Sequence, residues 1–319
     1  SGVGDFTAEQ LRKVLGGKAV NVQPVINRFS TDINGSAAKG DVETMLQLTY
    51  LYFTRPNFDR GRFDMMIAAN RMNLENSVNS PDFMMTQMVN KVTYGDQPRT
   101  QIPNEQILAG IDFDKIASWY RNLFTDAAGN YTFYFVGDID METFKPLVEK
   151  YIGGLPRGRQ RLGWKDDGVR VLPGMKEERE EIRMETARSM VSLAYSGEME
   201  YTQQNMMTLS MLSACLQSRY NQVIREEKGG SYGVSVNGVL SRQPIGMYDL
   251  KVTFQTNPDV VEELVRVVKD ELARIADNGP DLEQAFGVLA EDGSSRYEEC
   301  ADSFDFITDV LHVGRRLGC

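Results

Sequence analysis

The sequence predicts an α+β protein built from two related domains, and three observations lead there. A strand–turn–helix unit occurs twice. Tyr131–Pro156 is an apolar run, an acidic turn at Gly137-Asp138, an amphipathic segment and Gly153-Gly154-Leu155-Pro156; Met247–Pro280 repeats that order with Asn257-Pro258 at the turn and Asn278-Gly279-Pro280 at the end. Between them the composition changes, through Arg157-Gly158-Arg159-Gln160-Arg161, Asp166-Asp167-Gly168 and Pro173-Gly174, as a connector's does. The length of 319 residues suits two domains of ordinary size. The expected division is therefore 1–156, a linker over 157–178, and 179–319.

Each element follows from local pattern. Phe6–Leu15 reads as a short helix capped by Thr7 and closed by Gly16-Gly17. Lys18–Ile26 and Arg28–Ile33 alternate and form two strands turned near Asn27, ending at Asn34-Gly35. Val42–Phe53 carries an apolar helical face that Pro56 stops, Arg60–Ser77 is a second long helix, and Phe83–Val92 a third. A loop over 95–99 precedes a helix at Asp112–Phe124. Tyr131–Val136 is almost continuously apolar, as expected of a strand covered on both faces. Pro146 predicts an irregular first turn in the helix that follows.

The second half opens with strands at Glu181–Glu185 and Ser189–Tyr195 and passes into a Met-rich helix over 203–224, its methionines expected to fill core. A strand then runs to Leu240. Tyr248, Leu250, Val252 and Phe254 alternate with polar residues, a half-buried strand. Asn257-Pro258 starts a last helix whose buried face is Val260, Val261, Leu264, Val265, Val268, Leu272 and Ile275.

Composition excludes several classes. A net charge of −10 argues against nucleic acid or an anionic membrane as partner. No apolar run is long enough to span a bilayer, so no membrane insertion is expected. The Ser1–Asp5 start lacks a signal peptide and reads as a cut inside a longer protein. Of three cysteines (Cys215, Cys300, Cys319), Cys215 lies in an apolar helical pattern and is expected to be a small core residue. His312 is the only histidine. Zinc peptidase sites and Ser-His-Asp or Cys-His catalysis cannot be built from it, so no complete catalytic set and no metal site is expected in this chain. No glycine cluster fits a phosphate-loop fingerprint.

The stretch that carries chemistry is Arg225-Glu226-Glu227-Lys228-Gly229-Gly230-Ser231-Tyr232-Gly233. Its glycines end a helix and reverse the chain, putting Arg225 in the last helical turn and Tyr232 at the start of a strand. A cation there is also what the helix dipole favours, and a tyrosine opening a strand is ordinary β propensity. A forked donor and a phenol could nonetheless share one surface.

This stretch resembles the substrate-binding pair in the last domain of the pitrilysin/insulinase family of zinc peptidases. Phe135-Val136-Gly137-Asp138-Ile139-Asp140, the run to Tyr151-Ile152 and Leu155-Pro156, together with 41–103, resemble the same family in the same order, over most of residues 5–285. The resemblance implies four homologous domains in two halves around a chamber, each domain a mainly antiparallel β-sheet packed against helices. The first domain would carry inverted His-x-x-Glu-His and a distal glutamate on zinc. This chain resembles the C-terminal, non-catalytic half: a third domain truncated at its N-terminus, and the fourth. Where the catalytic domain has its distal glutamate, this sequence has Phe63 and Asn70, and Glu75 is expected to be an exposed helix residue.

On that resemblance Arg225 grips a substrate carbonyl through its fork, and Tyr232 supports the developing oxyanion. Zinc, its water and the base come from the N-terminal half of the same polypeptide, and the substrates are peptides. Alone, this chain is expected to bind peptide weakly and cleave nothing. The alternative is a structural, core-type superfamily member that scaffolds a complex without proteolysis; an unrelated peptide-binding module would require the motifs to be coincidence. Retention of both Arg225 and Tyr232 favours the peptidase half. The compartment stays open between periplasm and cytoplasm, with a lean to the periplasm.

Overall fold

The computed structural model describes residues 2–126, 128–158, 161–182, 186–227 and 233–279. In chain order its elements are β1 (Gly2–Val3), α1 (Ala8–Val14), β2 (Val20–Ile26), β3 (Thr31–Ala37), α2 (Val42–Thr54), β4 (Pro56–Asn57), α3 (Arg60–Ser77) and α4 (Pro81–Tyr94). There follow α5 (Glu105–Ala109), α6 (Phe113–Tyr120), α7 (Met141–Tyr151), β5 (Ser189–Glu198), α8 (Gln203–Tyr220), β6 (Val234–Ser241), β7 (Met247–Thr256) and α9 (Val261–Asn278). These contacts group into two compact units: 2–78 with Pro103–Lys165, and Asn79–Ile102 with the described residues from Asp166 onward.

In the first unit, Thr7 caps α1 and Gln10 reciprocates onto the Thr7 N–H at 2.9 Å, a complete capping box. β2 and β3 pair antiparallel from Val20↔Ala37 to Ile26↔Thr31. The expected end of the second strand at Ile33 is too early. It runs on through Asn34-Gly35 because Val20–Gln23 supply ladder partners there. Gly35 also lets α2 lie close, since a Cβ on it would fall 3.2 Å from the Met45 sulfur. α2 then buries Leu46, Leu48, Tyr52 and Phe53. Its Phe53 stands edge-on to Phe124, Tyr131 and Phe133 in an aromatic core. α6 continues into a wider π turn over Arg121–Thr125, which puts Phe124 fully inside.

Two expectations fail in this unit. Tyr131–Val136 is not a strand covered on both faces: it joins no ladder, and Tyr134 and Val136 are 85% and 99% exposed. Only the Tyr131, Phe133 and Phe135 side of the run is packed, so continuous apolarity here did not mean two-sided burial. Around Pro146 the helix is unbroken over Met141–Tyr151 with Asp140 as its cap, so the irregular first turn is absent. The short helix α5, capped by Asn104 through the Ile107 N–H, was not anticipated.

In the second unit, Ser80 caps α4 with Pro81 at its first position. The sheet has order β5-β7-β6, antiparallel throughout, with register Val191↔Phe254 and Val236↔Val252. Glu181 and Ile182 are in no strand, and 183–185 lie outside the described residues. The charged approach explains the miss: Arg179 pairs with Glu177 and Glu262 at 2.6 Å each, in side chains about two-thirds exposed. On β7, alternate residues Tyr248, Leu250, Val252 and Phe254 are buried as the period of two requires. Leu250, Val252 and Phe254 meet Leu212, Leu216 and Tyr220 of α8 and Leu264, Val268, Leu272 and Ile275 of α9 in one core, while Tyr248 packs with Met199 and Leu209. Asn257 caps the entry to α9 through the Asp259 N–H at 3.1 Å, as the Asn-Pro pattern predicts.

Candidate functional site

α8 does not stop at residue 224. It widens into a π-helical segment over Asn221–Glu227, and Arg225 sits in that segment with its side chain exposed. The neighbours explain why it points outward. Tyr220 and Ile224 are fully buried and Val223 nearly so, which leaves Arg225 on the opposite side. The Tyr220 hydroxyl donates to the Val268 carbonyl at 3.0 Å, anchoring this end of the helix to α9. π segments of this kind recur at functional positions. Nothing in the sequence pattern announces one here.

Three main-chain groups at the start of β6 are held from the same helix end. The Gln217 amide donates to the Val234 carbonyl. Its carbonyl oxygen accepts from the Val236 N–H at 2.8 Å. Asn221 Oδ1 accepts from the Val234 N–H at 3.3 Å. The described residues on either side of 228–232 are thereby fixed, on one side by the buried Tyr220 and Ile224, on the other by Gln217 and Asn221. Residues 228–232 lie outside the described residues, and with them Tyr232, the second member of the expected pair. Periodicity singled out neither Gln217 nor Asn221, since both look like ordinary polar positions on an amphipathic helix.

An acid–base pair supports the same helix. Arg219 donates to Glu271 through Nε at 3.2 Å and through a terminal nitrogen at 3.0 Å, and Arg274 adds a bond at 2.9 Å. Burial alone would raise the Glu271 carboxyl, but the two guanidinium groups outweigh it and hold it below the ordinary range.

Among the described residues no group of three or more His, Cys, Asp or Glu could hold a metal. At the two positions expected in place of the distal glutamate, Phe63 lies edge-on to Phe113 at 5.3 Å and Asn70 donates to the Met66 carbonyl at 2.8 Å. Glu75 is exposed on α3. Cys215 is half-buried, and burial pushes its thiol up to about 11, which makes it unreactive packing. His312, Cys300 and Cys319 lie outside the described residues. One cleft of about 490 Å³ opens where β5 ends beside the β6–β7 turn, lined by Glu198, Glu200, Tyr201 and Arg242 among others. It carries no motif legible in the sequence.

The second unit is a three-stranded antiparallel sheet with α8 and α9 packed in one core against it, an α+β arrangement that ends in the exposed Arg225. The family comparison makes this specific: the peptidase M16 inactive domain matches residues 110–285, and the chain belongs to that family. It is 24% identical over 265 residues to a zinc protease PQQL-like protein of Arabidopsis thaliana, covering 78% of this chain and 27% of the relative. It is 19% identical to a probable zinc protease PqqL of Haemophilus influenzae, covering 98% of this chain and 33% of the relative. The fold matches the crystal structure of the periplasmic protease PqqL from Escherichia coli with a TM-score of 0.80 at 17% identity, over 98% of this chain and 36% of that one. The chain thus spans about a third of the length of these three proteins.

Proposed function

We propose that this chain is the C-terminal, non-catalytic half of a zinc-dependent endopeptidase and that it binds the peptide substrate through Arg225 and Tyr232. Residues 1–156 would form an incomplete third peptidase-like domain and 179–319 the fourth, joined by 157–178. The reading is carried by one observation: Arg225 is exposed on a helix end whose neighbours Tyr220 and Ile224 are locked into the core. The locked helix end fixes where the guanidinium starts from, and its planar fork matches a peptide carbonyl or carboxylate. Tyr232 would add a hydrogen bond toward the carbonyl oxygen as negative charge builds on it. Zinc, its water and the general base would come from the N-terminal half of the same polypeptide. The names of the relatives, zinc proteases, support that source of the metal. They also disfavour a purely structural role.

The test uses the complete protein and a quenched fluorescent peptide. Removing a charge-assisted hydrogen bond costs about 1.5–3 kcal/mol, so Arg225→Ala should lower kcat/KM roughly ten- to a hundredfold. Arg225→Lys, which keeps the charge but loses the fork, should recover only part of it. Tyr232→Phe should lower kcat by about a hundredfold. Melting temperatures should stay at the parent value, because the Arg225 side chain is exposed. Kinetics unchanged in both variants would remove the assignment.

A further inference from the structure

β6 stands last in the sheet order β5-β7-β6, so among the described residues its ladder to β7 leaves the outer edge without a strand neighbour. At Val234 and Val236 two side chains of one helix hold that edge instead. Asn221 Oδ1 accepts from the Val234 N–H at 3.3 Å, the Gln217 amide donates to the Val234 carbonyl, and the Gln217 oxygen accepts from the Val236 N–H at 2.8 Å. Gln217 and Asn221 are four residues apart and so share one flank of the helix end. Arg225 leaves the π segment that Asn221 opens, with its side chain exposed.

These bonds tie both members of the proposed site to one frame. Tyr232 stands two residues before Val234 in the chain, a span of at most about 7 Å. Whatever fixes the main chain of Val234 therefore limits where the phenol can stand. Both main-chain groups of Val234, its N–H and its carbonyl, bond to the helix end that carries Arg225. The fold needs these bonds less than the site does. Val234 is only 6% exposed and already packs in the core with Leu212, Leu216 and Phe254. A polar clamp on a residue that apolar contacts already hold serves placement more than burial.

We infer that Asn221 and Gln217 are positioning residues of the peptide site: acting through Val234 rather than on the substrate, they set the Tyr232 phenol relative to the Arg225 guanidinium. The inference rests on the assignment of Arg225 and Tyr232 to substrate binding. Misplacing a reacting group by about 1 Å can cost about a hundredfold in rate. Loss of one clamp bond therefore appears in turnover before it appears in stability.

The experiment measures cleavage of the quenched fluorescent peptide by variants of the complete protein. Asn221→Ala should lower kcat about tenfold and leave KM within about twofold. Asn221→Asp keeps an acceptor for the Val234 N–H and should restore most of the rate. Gln217→Glu keeps the side chain's size and the acceptor for Val236 but turns an oxygen toward the Val234 carbonyl, so kcat should fall as in Asn221→Ala. Melting temperatures should stay within about 4 °C of the parent. The decisive comparison is made in Tyr232→Phe. A residue that acts through the phenol has little left to lose once the hydroxyl is gone, so adding Asn221→Ala should change kcat less than about twofold. The same comparison with Gln217→Glu decides the matter if Asn221→Ala does not fold. A tenfold loss that persists in Tyr232→Phe, or an Asn221→Asp variant as slow as Asn221→Ala, overturns the inference. If Tyr232→Phe slows turnover while Asn221→Ala and Gln217→Glu do not, the positioning role alone falls. If Tyr232→Phe is itself silent, the site assignment falls and the positioning role with it.

Discussion

At the scale of single residues, Glu271 is a carboxylate that ties α8 to α9 through Arg219. Its carboxyl is held below the ordinary 4.5 by Arg219 and Arg274 against the opposing effect of burial. A depressed carboxyl stabilises the folded state above the unfolded value and loses that contribution as pH falls through the folded one. The unfolding midpoint in urea should therefore decline as pH drops below about 4.5. Arg219→Ala should cost about 1–3 kcal/mol at neutral pH and flatten that decline, measured by urea titration across pH 3–7. A decline of unchanged steepness in the variant would mean that other carboxylates govern acid unfolding.

At the scale of elements, the fit of β6 against α8 depends on an absent side chain. A Cβ on Gly238 would come 2.3 Å from the Ser213 hydroxyl oxygen and 2.9 Å from Leu209 Cγ, both on α8. Gly238→Ala should destabilise by about 1–3 kcal/mol, read as a lower denaturant midpoint with an unchanged m-value. Elements of this second unit were largely legible in the sequence because their signals are redundant. α9 has cap, proline, apolar face and glycine stop together, and β7 alternates cleanly over Tyr248–Phe254. Where a single signal stood alone, it misled. Apolarity without alternating polarity made Tyr131–Val136 look covered on both faces, although partners, not composition, decide burial. Pro146 looked like a disruption, although a helix otherwise well capped by Asp140 runs through it. For the candidate site, the exposure of Arg225 at a helix end followed from periodicity. The π winding and the side-chain clamps did not, since they depend on how α8 meets β6 in space.

At the scale of the whole molecule, the proposal that zinc and the general base come from the N-terminal half sets the expected behaviour of the chain by itself. Titration calorimetry with zinc should show no site tighter than micromolar, and the peptide cleaved by the complete protein should survive incubation with this chain plus zinc. Hydrolysis sensitive to a chelator would contradict both. Gln217 and Asn221 bear on assembly in a further way. By satisfying the outward N–H of Val234, its carbonyl and the N–H of Val236, they occupy the rim of β6 as a short neighbouring strand would. A side-chain amide can do this because it both gives and accepts a proton bond in one plane. The first residues of that flank, Val234 to Val236, therefore offer no open main-chain groups to an incoming chain, and two polar residues of a helix are the reason.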